Sequence, residues 1–297
     1  MQNFSFLKRA FLLLVVVFAV AISGLLLYRV ISGRSLGLRS FVNTQVYAIS
    51  SLWKSVTNSS SVKAISTGNY TNIIFLHHSV GHNLIEQGQV RELFTQAGYV
   101  FFDHDYNHIG LRDPAGELLG YSYNVPQDNT DPDGLAGIFS QHLYPIPVNA
   151  FSGLMQHEVI IFKSCFPTSD IPSEEMLDEY KAYYLGMRDV FNEHLDKIFI
   201  VVTPPPLNPS ETKMEIAMRA RRFSDWLGSD EYLGGRSNVF TFDLFDLLAE
   251  GDSQSPEFNM LKAEFREDED SHPTREVNQR IGPIFVEVVI KSINGYK

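Results

Sequence analysis

The stretch that decides the fold is Ile73-Ile-Phe-Leu-His-His-Ser-Val-Gly81. Its first half, Ile73 to Leu76, is a short, wholly apolar run, the pattern of a strand buried on both faces. Gly81 to Gln96 then carries Leu84, Ile85, Val90, Leu93 and Phe94 near helical spacing. His77, His78 and Ser79 therefore occupy a strand-to-helix turn.

The same alternation continues outward. Tyr99–Phe102, Glu158–Phe162, Lys197–Val202 and Asn238–Phe242 are further strand candidates, the fourth of the five stopped by Pro204-Pro-Pro206. Between and after them lie helical stretches: Ser173–His194, with Ser173 as cap and Glu174 and Glu175 on the helix dipole, Ser210–Leu227, and Pro273–Ile293. Apolar strands separated by helices predict a parallel sheet covered on both faces, a doubly wound three-layer α/β domain over residues 71–297. Ligands in that architecture sit at the carboxyl ends of the strands. Chemistry is expected just after residues 76, 102, 162, 202 and 242.

Toward the N-terminus the text changes character. A tail, residues 1–9, carries Lys8 and Arg9, and Ala10 to Tyr28 holds no charge. The expectation is one transmembrane helix over 10–30. The rival is a signal peptide cleaved near Ala21-Ile22-Ser23, against which Leu25 to Leu27 continue the apolar run. The short tail favours a single-pass anchor with the catalytic domain extracytoplasmic. Residues 31–70 read as a tether, because Ser51–Thr67 is rich in Ser, Thr and Asn and buries little.

A formal charge of -11 without a basic cluster in the domain argues against nucleic acid. The single cysteine, Cys165, rules out an internal disulfide and a cysteine-based zinc site.

A serine at a strand-to-helix turn exposes its Oγ to the N–H groups of the following helix, suited to a developing oxyanion. It needs a base, and Ser79 as a simple helix cap is the alternative reading. Near the C-terminus stands Asp268-Glu-Asp-Ser-His272-Pro273, a histidine with carboxylates just upstream. It predicts a base with its orienting acid. Cys165, at another strand end, is a second nucleophile candidate.

Phe75-Leu-His-His-Ser79, Phe199–Pro206 and Asp270-Ser-His272-Pro273 together resemble the SGNH (GDSL-like) hydrolase family, over roughly residues 72–293. The resemblance implies a flavodoxin-like sheet of five parallel strands and a serine esterase with Ser79 as nucleophile and His272 as base. Asp270 is the chosen orienting acid, with Glu269 and Asp268 kept open. Three departures stand out. His77-His78 replaces the family's Gly-Asp. The acid-to-histidine spacing is two rather than three. No Asn follows the third strand, where the sequence reads Lys163-Ser-Cys-Phe-Pro167. The oxyanion and substrate-binding set is then Gly110 and Asn107 after the second strand, with Ser164 or the Cys165 N–H standing in for the absent Asn.

No metal and no cofactor is expected. The histidines and carboxylates at 77–78 and 103–108, and the Asn129–Gly134 turn, read as polar cleft and loop. The long segment Leu111–Phe151 is expected to form a lid or substrate wall, with Tyr121, Tyr123 and Tyr144 available to stack on sugar rings. The expected substrate is an acylated small molecule or glycan. An O-acetyltransferase using the same acyl-enzyme and a non-catalytic glycan-binding or scaffolding module are the competing readings.

Overall fold

In the computed structural model of the chain, residues 38–64, 68–235, 238–267 and 269–296 are described. Six strands form one sheet: β1 (Asn72–Leu76), β2 (Val100–His104), β3 (Leu111–Arg112), β4 (Val159–Lys163), β5 (Ile198–Val202) and β6 (Val239–Phe242). Their order is β3-β2-β1-β4-β5-β6. All neighbours pair in parallel except the two-residue β3, which joins β2 antiparallel at the edge. The five apolar runs are thus the five parallel strands, and the sixth is a short addition.

Side chains alternate across the sheet into two cores. Ile74, Leu76, Ile160, Phe162, Phe199 and Val201 pack on one face, against the helices Pro132–Phe139, Glu174–Asn192 and Met214–Leu227. Ile73, Phe75, Val159, Ile161, Ile200 and Val202 pack on the other, against Ser79–Gln87, Val90–Gln96 and Arg275–Tyr296. Each central strand is buried along its whole length, which is why its sequence shows no polar alternation.

Two helical details depart from the periodicity. The stretch 81–96 is two helices, interrupted at Gly88 and Gln89, whose φ of 56° is left-handed. Gly88 and Gly282 meet backbone to backbone there: a Cβ on Gly282 would lie 2.1 Å from the Gly88 carbonyl oxygen. That contact brings the last helix down onto the helix that begins at Ser79.

The tether reading needs correction over part of its length. Leu38–Val62 is a helix. Residues 50–297 form one compact unit, and within it Ser51, Ser55 and Val62 are buried. The serines that suggested a stalk are its docking groups: Ser55 Oγ donates to Pro147 O at 3.1 Å, and Ser59 Oγ to Gln156 Oε1 at 2.7 Å. The apolar run at 10–30 lies outside the described residues. Among those described, no helix is long and apolar enough to cross a membrane.

Parallel pairing with matched register puts the carboxyl ends of β1, β2 and β4 side by side: Leu76 pairs with both His104 and Phe162. Ser79, Tyr106 and Cys165 follow those ends directly.

Candidate active site

Ser79 is the first residue of its helix. The cap position belongs to His78, in extended conformation and without a side-chain cap bond. The Ser79 hydroxyl is therefore free of capping and bonds His272 Nε2 at 2.8 Å. On the far side of the ring, Asp270 Oδ1 accepts from His272 Nδ1 at 2.7 Å and also from the His272 backbone N–H at 3.1 Å. Serine, histidine and aspartate so form a continuous relay, and Asp270 is the carboxylate at Nδ1. Burial raises the Asp270 pKa, but the hydrogen bonds from His272 prevail and hold it below the ordinary carboxylate value.

The loop carrying His272 is fastened to the segment after β5. Asn208 N–H donates to Ser271 Oγ at 2.8 Å, and Asn208 Nδ2 to Asp270 O at 3.1 Å. Ser271 Oγ also donates to the Glu211 carboxylate. The Phe166 ring stands edge-on to the imidazole, centroids 5.1 Å apart. The proline run that stops β5 leads straight into this clamp, a link that single-residue reading of the sequence does not reveal.

The turn that carries Ser79 is held from below. His77 is fully buried, with Nε2 3.1 Å from Asp103 Oδ2 and Nδ1 3.0 Å from His78 O. Arg91 Nη2 bonds the other Asp103 oxygen at 2.5 Å. Burial would raise the Asp103 pKa, but His77 and Arg91 keep it low. The space for the imidazole comes from Gly81, where a Cβ would lie 2.4 Å from the His77 Cβ. His78 stacks on Tyr106 with centroids 3.9 Å apart, and its Nδ1 meets Thr130 Oγ1 at 3.1 Å. One turn on, His82 Nδ1 lies 3.1 Å from Asp105 Oδ2. Burial raises the Asp105 pKa, but the bond from His82 and the nearby His77 outweigh it and hold it at about 2.

These groups open into a cavity of about 490 Å³. Ser79, Cys165, Phe166 and His272 form its reactive side, and Asp128, Asn129, Thr130 and Asp131 a polar wall. Among the described residues no lysine or arginine lines it. Burial raises the pKa of Asp131, and the neighbouring Asp133 adds to this. The long segment 111–151 thus supplies one wall of the cavity, through residues 128–131.

Other expected site residues are placed elsewhere. Gly110 has a φ of 80°, but its N–H donates to Tyr106 O at 2.8 Å to close a turn, so it offers no donor to the cavity. Asn107 is consumed in binding the next loop: Nδ2 donates to Val125 O at 2.7 Å and Oδ1 accepts from Val125 N–H at 2.9 Å. Ser164 is buried, its hydroxyl 3.1 Å from Tyr184 Oη. Of the proposed oxyanion set only Cys165 reaches the cavity, with Sγ 3.7 Å from Ser79 Oγ. Tyr121 and Tyr123 are core residues, and Tyr144, though exposed, lines a separate hollow with Lys63 and Lys197. None of the three tyrosines stands at the reactive centre. Among the described residues no group of three or more His, Cys, Asp or Glu side chains is arranged to hold a metal ion.

No protein-family model matches the chain, and no curated protein is recognisably similar in sequence. Structural similarity goes further. A candidate acylhydrolase from Bacteroides fragilis superposes with a TM-score of 0.51 at 11% identity, covering 82% of this chain and 97% of the other. This chain shares its fold. A GDSL-like lipase from Bacteroides thetaiotaomicron gives a TM-score of 0.48 at 10% identity, covering 83% and 99%. The shared feature is the α/β architecture with its mostly parallel sheet, and an identity this low speaks to fold alone.

Proposed function

We propose that the chain is a serine esterase that removes O-acyl groups, acetyl among them, from a hydroxyl-rich alcohol such as a glycan. The observation that carries the reading is the relay from Ser79 Oγ through His272 to Asp270, with bonds of 2.8 and 2.7 Å, opening into a cavity. His272 Nε2 takes the Ser79 proton as Oγ attacks the acyl carbonyl, then returns it to the departing alkoxide. Water repeats the sequence on the acyl-enzyme.

Support for a hydroxyl-rich alcohol comes from the polar wall of Asp128, Asn129, Thr130 and Asp131, which offers carboxylate and amide groups and one hydroxyl, without lysine or arginine among the described residues. The uncharged run Ala10–Tyr28 supports a membrane-tethered enzyme facing out of the cytoplasm. The displacement of Gly110 and Asn107 from the cavity is the one feature that favours a non-catalytic module instead.

The test is hydrolysis of p-nitrophenyl acetate, together with labelling by a fluorophosphonate probe. Wild type is expected to turn over and to label, and Ser79→Ala to do neither. Turnover by Ser79→Ala equal to wild type removes Ser79 from the mechanism. Failure of folded wild type both to label and to hydrolyse favours the binding module.

A further inference from the structure

The reactive centre needs oxyanion donors that neither Gly110 nor Ser164 supplies. Tyr106 lines the same cavity as Ser79. It follows β2, immediately beside β1, so it flanks Ser79 on the side opposite the one from which Cys165 and His272 approach. Its ring is fixed face to face on His78, the residue directly before Ser79, with planes 11° apart. The His108 ring also lies against it, with centroids 5.8 Å apart. A clamped ring leaves the hydroxyl little freedom, which is what preorganised donation demands.

We infer that the Tyr106 hydroxyl, together with the Ser79 N–H, forms the oxyanion hole of this enzyme. The inference rests on the esterase reading above and adds a catalytic residue to it. As Ser79 Oγ bonds to the acyl carbon, the carbonyl π pair moves onto oxygen and the serine proton passes to His272 Nε2. Tyr106 donates a hydrogen bond to that oxygen and keeps its own proton throughout. Collapse restores the carbonyl, breaks the bond to the alcohol oxygen and returns the proton from His272 to it.

The environment keeps the phenol in its donating form. Burial raises the Tyr106 pKa, and it stays raised although the Ser79 side chain and backbone, both close to the phenol oxygen, pull it down. Those Ser79 interactions place the phenol oxygen next to both the Ser79 hydroxyl and the Ser79 N–H.

The experiment compares wild type, Tyr106→Phe and Ser79→Ala on p-nitrophenyl acetate, and measures inhibition by a trifluoromethyl ketone that adds to Ser79 as a tetrahedral oxyanion. Phe preserves the ring stack and removes only the donor. The expected result is a kcat lower by about 10²-fold, within the range for loss of one oxyanion donor. KM should stay within about twofold, and ketone affinity should fall about as far as kcat. A melting temperature for Tyr106→Phe near wild type assigns the loss to chemistry. A kcat within about threefold of wild type, or a change confined to KM, overturns the role of Tyr106. If Ser79→Ala is inactive while Tyr106→Phe is fully active, only this inference falls. If Ser79→Ala turns over like wild type, the esterase reading falls and takes this one with it.

Discussion

Replacing Asp270 tests the relay in a way specific to this structure. One oxygen, Oδ1, accepts from both the His272 ring and the His272 backbone N–H. In Asp270→Asn the amide is held with its oxygen there, because its NH₂ would otherwise face the His272 backbone N–H, a fixed donor. The oxygen then still accepts from Nδ1–H and still leaves Nε2 free to take the Ser79 proton. What disappears is the charge that stabilises the imidazolium formed in the transition state. The difference between a charge-assisted and a neutral hydrogen bond is ~1–1.5 kcal/mol. The Asp270 side chain is 60% exposed, so solvent screens most of any further Coulomb benefit. The loss in kcat/KM should be roughly 5- to 13-fold. Asp270→Ala, by contrast, frees both the tautomer and the ring orientation. Its cost should approach 10³-fold, somewhat under the ~10⁴-fold that a wrong tautomer costs in a buried triad.

The assay is kcat/KM on p-nitrophenyl acetate for the two variants, with Ser79→Ala as the floor. The expected ranking is wild type, Asp270→Asn, then Asp270→Ala. Asn falling to the level of Ala would refute the single-oxygen argument. Ala retaining wild-type activity would show that another carboxylate, Glu269 or Asp268, orients His272.

Acid should destabilise the fold in a window set by its buried histidines. His104 accepts the Tyr123 N–H on Nε2 at 3.0 Å, and burial pushes its pKa down to about 4; burial likewise takes His157 to about 3. Both folded values lie below the unfolded one, so the unfolded chain binds more protons. The stability is full above pH ~6.5 and is lost as pH falls toward the folded values, by ~3 kcal/mol for His104 alone. Urea midpoints at pH 7.5 and 4.5 measure this, and equal midpoints would contradict it; Asp105, held at about 2, adds its own loss only below pH ~4, under the pH range of this comparison. The Cys165 thiol, 3.7 Å from the Ser79 hydroxyl, yields a further outcome. Alkylation by iodoacetamide should abolish esterase activity, while Cys165→Ala should remain active and resist the reagent. Loss of activity in Cys165→Ala equal to that in Ser79→Ala would make the thiol, not the hydroxyl, the nucleophile.

What the sequence reveals, and what it hides, follows from where each group's interactions go. The five parallel strands are legible because both faces of each are buried, which writes them as unbroken apolar runs. β3 is not, because two residues carry no pattern and exist as a strand only by pairing with Asp103 and His104. Ser51–Val62 misleads because serine is as much at home in a linker as on a buried helix face, where its small side chain allows close approach. Ser79, His272 and Asp270 are legible from strand ends and a histidine beside carboxylates. Asn107 and Gly110 have the right types in the right loop, yet their hydrogen-bonding capacity is spent on that loop's own folding. Tyr106 carries the opposite lesson, since a tyrosine beside a strand reads as packing until its stack on His78 is seen.

The histidine pair before Ser79 is the sharpest departure from the GDSL-like pattern, and the structure accounts for it as two separate anchors. His77 ties the turn downward, through Asp103, to Arg91 on the neighbouring helix. His78 ties it sideways, by its stack on Tyr106 and its bond to Thr130. Neither anchor is local in sequence: the partners come from β2 and the loop after it, from the helix before it, Val90–Gln96, and from the long segment that walls the cavity. The turn therefore needs no short consensus of its own, because its geometry is set by contacts that only the folded sheet brings together. The same contacts place Tyr106 and the 128–131 wall relative to the nucleophile. A substitution that loosens His78 should accordingly disturb substrate wall and oxyanion site at once, while one that loosens His77 should act on Ser79 alone.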